Sequence, residues 1–286
     1  MTTRVGAAWT LAALFLALTR GAEMWLNASA VGGATELDSA GAIAGLVAAA
    51  AIHAMVIVWL AARSRLPDPA RKLAIVGVGL GFVVVNNLEA MLFGIAPFAP
   101  LLGLAVAGAV VHGLAVLWIT SVIPPPASVA THSQSPFAGF IAREIVVRTA
   151  LLGLIYAVIY FAAGATIYPF VQEFYANKPL PATGPLFVLQ AVVRGPIFVG
   201  VGALVVALLR STRGVHAAAV ALTLAGLGGV TALLVPNPLF PDHIRLVHLA
   251  EVGVSNLVFG ALVGWALTSA RPARRPVASP VAPSSS

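Results

Sequence analysis

The sequence predicts an all-α integral membrane protein with about eight transmembrane helices in two four-helix halves. Its 286 residues are 60% hydrophobic and only 9% charged, whereas soluble domains carry about 25% charged residues. The mean hydropathy is +0.99. Eight apolar stretches also come close to the ~20 residues that a helix needs to cross the hydrocarbon. They lie at about 5–27, 40–62, 73–95, 98–121, 146–169, 185–209, 215–235 and 244–268.

The composition excludes several kinds of site. The chain has no cysteine, which rules out disulfides, thiolate catalysis, cysteine-bound metals and iron–sulfur clusters. The net charge of +7 does not indicate nucleic acid as a partner, because the basic residues fall in short loops between apolar stretches. No loop is long enough for a soluble catalytic domain. Any chemistry is therefore expected within the spans or their short connections, with the lipid bilayer as the surrounding partner.

The segments are predicted in the following order. Residues 1–121 form the first four-helix half, and the first span is expected to be retained, because Arg20 and Glu23 separate its apolar run from the cleavage-like Ala28-Ser29-Ala30. A cytoplasmic linker, 122–145, opens with three prolines, Pro124–Pro126. Residues 146–269 form the second half, in which Pro179, Pro181 and Pro185 are expected to keep an outer loop over 170–184 non-helical. A Pro- and Ser-rich tail, 270–286, is predicted to be disordered.

The charges of the loops predict the orientation. Twelve of the sixteen basic residues fall on one side when the N-terminus is inside, and the opposite loops are acidic, so both termini are predicted to be cytoplasmic. The bias toward Arg, Ala and Val suggests a GC-rich bacterial gene and hence a bacterial inner membrane. The twelve basic residues are Arg4, Arg63, Arg65, Arg71, Lys72, Arg143, Arg148, Arg210, Arg213, Arg271, Arg274 and Arg275.

The last span carries a polar stripe. Arg245, His248, Glu251 and Ser255 follow one another at steps of three, three and four, which places them on one face of a helix. Asn256 comes directly after them. A helix in lipid does not keep such residues together unless that face meets protein or water.

Polar residues of four spans are predicted to lie at one depth, in the outer half of the membrane, when the rise is taken as 1.5 Å per residue. We interpret them as the lining of one cavity that opens to the extracytoplasmic side. There the carboxylates would exchange protons and the arginines would bind anionic groups. The alternative is a set of ion pairs and hydrogen bonds that hold the bundle together. The residues are Arg20, Glu23, Asn86, Asn87, Glu89, Gln190, Arg194, His248, Glu251, Ser255 and Asn256.

Two histidines form a second feature. His53-Ala-Met-Val-Ile-Val-Trp59 in span two matches His112-Gly-Leu-Ala-Val-Leu-Trp118 in span four, which suggests a duplicated hairpin. Imidazoles at equal depth can ligate haem b or a transition metal, or they can be core residues that donate to backbone carbonyls. In architecture alone, histidines in spans two and four of eight resemble the haem-containing bundles of the haem A synthase type. That family's Glu-x-x-His signature is absent, since Ala50 precedes His53 by three, so no site is transferred.

Three functions are consistent with these features. The first is a secondary transporter or permease for a small-molecule substrate. The second is a membrane redox protein with a haem b or metal cofactor on His53 and His112, with no dedicated metal site elsewhere. The third is an enzyme acting on a lipid or isoprenoid at the outer carboxylates. Gly195-Pro196, directly after Arg194, is expected to weaken span six, as in the broken helices of transporters.

Overall fold

A computed structural model of the chain describes residues 6–18, 40–92, 98–124, 142–176, 178, 180–235 and 240–268. These residues form eight helices and no β-strand. The helices are α1 (Gly6–Leu18), α2 (Ala40–Arg63), α3 (Ala70–Leu92), α4 (Phe98–Val122), α5 (Ala142–Tyr175), α6 (Thr183–Leu208), α7 (Arg213–Leu233) and α8 (Asp242–Leu267).

The helices confirm an all-α protein compatible with a membrane. Within the described ranges, six helices are long and apolar enough to cross a bilayer, namely α2, α4, α5, α6, α7 and α8. The count of eight spans and the division into two halves stay predictions. A single apolar core includes residues from both proposed halves, such as Ile75 of α3 and Val205 of α6.

Close backbone contacts between small residues hold the helices together. α8 packs most extensively against α7, where Gly260 and Gly264 lie against the backbone of Ala221 and Ala217. α5 meets α6 at Gly153, which lies against the carbonyl of Ala191. Glycine and alanine allow this approach because no side chain separates the helix backbones.

The α5–α6 connection is shorter than the sequence predicted. The predicted span ended at residue 169, but α5 continues to Tyr175 with Pro169 inside it, and α6 begins at Thr183. The expected non-helical loop over 170–184 is therefore wrong at 170–175 and at 183–184, which are helical. Pro185 lies in the first turn of α6, where a missing N–H costs no intrahelical hydrogen bond.

Arg71 joins three helix ends at the end of the bundle that is predicted to be cytoplasmic. Its side chain is 0% exposed. The guanidinium donates to the carbonyls of Ala61 at 3.4 Å, Thr120 at 2.9 Å and Ile123 at 2.9 Å. It also donates to both carboxylate oxygens of Asp68. The last carbonyls of α2 and α4, which lack intrahelical donors, are satisfied in this way.

Three more arginines bind helix C-terminal carbonyls at the same end. Arg65 donates to Ala207 O at 2.9 Å, Arg148 to Ala266 O and Arg213 to Trp265 O at 3.1 Å. Cations also complement the negative end of the helix dipole. The α2–α3 and α6–α7 connections meet here as well, because Ser64 pairs with Leu209.

Two helices are interrupted by π-helical turns. In α6 the π segment is Leu189–Arg194, and in α7 it is Gly226–Val230. Such turns are rare and occur frequently at functional sites. Gly195-Pro196 was predicted to weaken the sixth span, and the interruption lies directly before this dipeptide.

Candidate functional site

The π segment of α6 carries the most deeply buried polar pair among the predicted site residues. Gln190 is 0% exposed and Arg194 is 5% exposed. Both lie near the midpoint of α6, slightly toward the end that holds Tyr175 and Asp242, which we call the outer end. Ala191 and Gly195, on the same buried face, pack against Gly153 of α5. The backbone contact between α5 and α6 therefore fixes the direction in which the Gln190 and Arg194 side chains project into the bundle.

Aromatic rings surround the Arg194 guanidinium. Its central carbon lies 5.6 Å from the ring centroid of Phe198, 5.8 Å from that of Tyr156 and 5.9 Å from that of Tyr160. A cation within about 6 Å of an aromatic face is attracted by the ring quadrupole. Tyr156 and Phe198 also pack on Phe259 of α8. The rings of Tyr156, Phe198 and Phe259 belong to α5, α6 and α8. Together they form an apolar surface beside Arg194.

Gln190 is buried without its hydrogen bonds. Neither the nitrogen nor the oxygen of its side-chain amide has a partner within the part of the chain that the structure describes. Leaving a buried polar group unpaired costs about 1–3 kcal/mol, so buried amides are nearly always paired. This amide is therefore a candidate to bind a ligand.

A hydrogen-bonded chain of three titratable side chains lies closer to the outer end. Tyr175 Oη is 2.9 Å from His248 Nε2, and His248 Nδ1 is 3.2 Å from Glu251 Oε2. An ionised carboxylate only accepts, so Nδ1–H donates to Glu251 and the Tyr175 hydroxyl donates to Nε2. His248 is 18% exposed and Glu251 is 8% exposed. The chain leads from a partly exposed imidazole to a buried carboxylate.

The relative depth of the two groups follows from the helix rise. Phe198 and Phe259 are in contact, with ring centroids 6.4 Å apart. Glu251 precedes Phe259 by about 12 Å along α8, and Arg194 precedes Phe198 by about 6 Å along α6, at 1.5 Å per residue. Glu251 therefore lies about 6 Å farther outward than Arg194.

The remaining predicted residues on α8 and α3 have local roles. Asn256 is buried and donates to Leu224 O at 3.4 Å, two residues before the π segment of α7. Ser255 donates to Val252 O of its own helix at 3.3 Å. Asn86 is half-buried on α3. Arg245 donates to Leu233 O and Leu234 O and pairs with Asp242 at 2.9 Å, so it caps α7.

Four predicted residues cannot be placed. Arg20 and Glu23 lie outside the described residues, and so do the side chains of Asn87 and Glu89. The common cavity proposed from sequence therefore stays a prediction. What the structure brings together is one cluster around Arg194 and one around His248.

The two mid-span histidines contact each other. His53 Nε2 is 2.9 Å from His112 Nδ1, and His112 Nε2 is 3.1 Å from Ile75 O. A carbonyl only accepts, so His112 donates to Ile75 and accepts from His53. The His112 ring also fills the space at Gly79 that a Cβ would occupy. Iron at either nitrogen of His112 would displace one of these partners, so the pair as placed does not fit a haem.

No cluster of three or more His, Asp or Glu side chains that could hold a metal ion occurs in the described ranges. The haem hypothesis stays a prediction from sequence. A visible absorption spectrum of the purified protein, before and after reduction, checks it.

Sequence reasoning missed several residues of these clusters. Tyr156 and Tyr160 are spaced i, i+4, and Phe198 follows Arg194 by four, so their helical faces could have been identified. Tyr175 could not, because Pro179, Pro181 and Pro185 predicted that it lay in a loop. Arg71 was counted only as a loop charge.

The chain matches no protein-family model, no curated protein and no solved structure.

Proposed function

We propose that the chain is a secondary transporter or permease for a small solute, with its solute site at Gln190 and Arg194. The observation that carries this proposal is the burial of both side chains on the π segment of α6, with the Gln190 amide unpaired in the described part of the chain. Transporters place substrate sites near the bilayer midplane, where interrupted helices present polar groups. Here α6 and α7 are both interrupted.

The Tyr175–His248–Glu251 chain supplies a proton site for this transporter. The imidazole of His248 has a hydroxyl on one side and a carboxylate on the other, and such a chain can relay protons through a membrane span. This chain lies outward of Arg194, so a proton entering from the outer end reaches it before the solute site. A proton held on this chain would add one positive charge there and so change the electric field at the solute site.

Uptake into proteoliposomes tests the proposal. The purified protein is reconstituted around a pH-sensitive dye and exposed to small carboxylates, amines, sugars and inorganic phosphate. At least one solute class should change the internal pH with wild-type protein, and Glu251→Gln should abolish this change while the protein stays folded. Glu173→Gln is the matched control, because Glu173 is exposed at the same end of α5. Equal signals from wild type, Glu251→Gln and protein-free liposomes would contradict transport.

The Tyr175–His248–Glu251 chain also favours a second candidate, an enzyme that acts on a lipid at the outer end. A hydroxyl beside an imidazole, which is oriented in turn by a carboxylate, is the arrangement that activates a nucleophile or a general acid. Tyr175→Phe should then abolish a change in membrane lipids that expression of the wild type produces. Tyr168→Phe, at an exposed position of the same helix, should not. Lipid extracts compared by mass spectrometry decide between these outcomes.

A further inference from the structure

We infer that Arg63, Arg65 and Arg210, at the end of the bundle predicted to be cytoplasmic, bind the phosphate of an anionic phospholipid whose headgroup carries no amine. This inference does not rest on the proposed function, because none of the three arginines belongs to the proposed solute site or proton site.

Two interhelical connections meet to form this basic surface. Ser64, directly after α2, pairs in antiparallel fashion with Leu209, directly after α6. The backbone N–H of Arg65 also donates across this pairing at 2.7 Å. The two paired residues are buried, whereas the residues that flank them on one edge, Arg63 and Arg210, are exposed. The pairing therefore brings basic residues of both connections onto one surface.

No carboxylate neutralises these three guanidinium groups within the described ranges, since none of them forms an ion pair there. The acidic residue nearest to Arg65 in the sequence, Asp68, instead pairs with Arg71 at 2.9 Å and with Lys72 at 3.3 Å. The linker at 125–141 and the tail at 269–286, which are predicted to lie on the same side, contain no Asp or Glu. The surface therefore keeps an excess of positive charge.

Arg65 is the member of this group that is oriented by the fold. It is half-buried, and its Nε donates to Ala207 O at 2.9 Å, while its two terminal nitrogens make no hydrogen bond to the described residues. Burial and the positive charge of Arg210 lower the pKa of the Arg65 guanidinium, although an arginine stays charged in proteins. No opposite charge offsets these two effects, so an anion held by Arg65 and Arg210 would be bound favourably.

The position and charge of the surface select the ligand. Arg63 is the last residue of α2, and Arg65 and Arg210 come two residues after the ends of α2 and α6, where spans meet the headgroup layer of a bilayer. Guanidinium N–H groups match the oxygens of a phosphate in pairs. A headgroup with an amine would bring another positive charge to a surface without a carboxylate. An anionic headgroup without an amine is therefore the complementary ligand.

Binding of soluble short-chain lipids to the full-length protein in neutral detergent tests the inference, with affinities measured by microscale thermophoresis. The probes are dioctanoylphosphatidylglycerol, dioctanoylphosphatidylcholine and inorganic phosphate. We expect the wild type to bind the phosphatidylglycerol about tenfold more tightly than the phosphatidylcholine. Inorganic phosphate should bind more weakly than the phosphatidylglycerol, because it has no acyl chains to pack on the apolar helices.

Arg210→Gln is the decisive variant, because Arg210 is exposed and makes no hydrogen bond or ion pair with the described residues, so its loss should not affect folding. It should lower the affinity for the phosphatidylglycerol about fivefold. Arg143→Gln removes an exposed charge at the same end of the bundle. It is the matched control and should leave that affinity unchanged.

Three results would overturn the inference. Equal losses in Arg210→Gln and Arg143→Gln would show that the protein attracts anionic lipid through its overall charge alone. Equal affinities of the wild type for the two lipids would show that the surface does not distinguish headgroups. Inorganic phosphate binding as tightly as the phosphatidylglycerol would assign the surface to a free anion and not to a lipid.

Discussion

Individual arginines have three different roles, set by their surroundings. Arg71 is fully buried and donates to backbone carbonyls and to Asp68. Arg245 caps α7. Arg194 lies among aromatic rings beside an unpaired amide. The proposed site is placed at Arg194 because both polar atoms of the neighbouring Gln190 amide are buried without a partner among the described residues.

Replacing Arg71 should destabilise the protein strongly. Arg71→Gln leaves carbonyls of α2 and α4 without donors, and breaking a buried pair from one side typically costs about 3–5 kcal/mol. We expect the free energy of unfolding in mixed micelles to fall by about 3 kcal/mol. The control is Lys72→Gln, since Lys72 is partly exposed and pairs with Asp68 at 3.3 Å; exposed pairs contribute about 0–1 kcal/mol. Equal losses in the two variants would contradict the role of Arg71.

Asp68 should make stability depend on acid pH. Burial raises the pKa of its carboxyl, but hydrogen bonds from Arg71 and Lys72 outweigh burial and hold that pKa below its ordinary value. A carboxyl with a depressed folded pKa stabilises the protein above its unfolded pKa of about 3.9 and loses that contribution as pH falls through the folded value. The stability difference between wild type and Asp68→Asn should therefore be constant above about pH 5 and shrink below about pH 4. Thermal melts across this range measure it, and a difference that does not change with pH would contradict the assignment.

At the scale of the helices, close backbone contacts position the site. Gly153 lies against the Ala191 carbonyl within the π segment of α6. The π segment of α6 and the contact between Gly153 and Ala191 together direct the Gln190 and Arg194 side chains into the bundle. The site therefore depends on the fit between α5 and α6 as well as on its own side chains.

Gly153→Ala should displace this contact. An added methyl group would overlap the Ala191 carbonyl and the Pro196 ring, and overpacking a tight interface typically costs about 1–3 kcal/mol. We expect a lower melting temperature and weaker solute binding. Gly164→Ala in the same helix meets nothing within 4 Å and should leave both unchanged or raise stability by about 0.5–1 kcal/mol. A Gly153→Ala protein that behaves like Gly164→Ala would show that the contact does not position the site.

The sequence predicted the elements better than the contacts between them. Apolar runs of sufficient length identified α2, α4, α5, α6, α7 and α8, because spanning the hydrocarbon requires such runs. Helical spacing predicted that Gln190 lies beside Arg194 and that His248 lies beside Glu251. Residues three or four positions apart are neighbours on the surface of one helix. Tyr175 was missed because its partner His248 is 73 residues away, and periodicity does not determine which helices meet.

At the scale of the whole molecule, the ends of the bundle differ in chemistry. The end predicted to be cytoplasmic is held by Arg65, Arg71, Arg148 and Arg213, which bind helix C-terminal carbonyls. The outer end carries the Tyr175–His248–Glu251 chain. The positive-inside bias thus coincides with a capping function for four arginines, which loop charge alone did not predict.

Single cysteines test the orientation, because the natural chain has none and no background labelling is expected. Lys178→Cys lies at the outer end and Arg210→Cys at the opposite end, both exposed. A membrane-impermeant maleimide should label Lys178→Cys in intact cells, and Arg210→Cys only after permeabilisation. The reverse pattern would contradict the predicted topology.

The central claim is that Arg194 forms part of a transporter's solute site, and solute-evoked current tests it most directly. Proteoliposomes adsorbed on a solid-supported membrane are exposed by rapid exchange to the solutes of the uptake assay, with wild type, Arg194→Gln and Arg143→Gln compared at equal protein density. Arg143 is exposed near the start of α5, so it serves as the charge-matched control. We predict a current in wild type and Arg143→Gln that is absent in Arg194→Gln. An undiminished current in folded Arg194→Gln would contradict the claim.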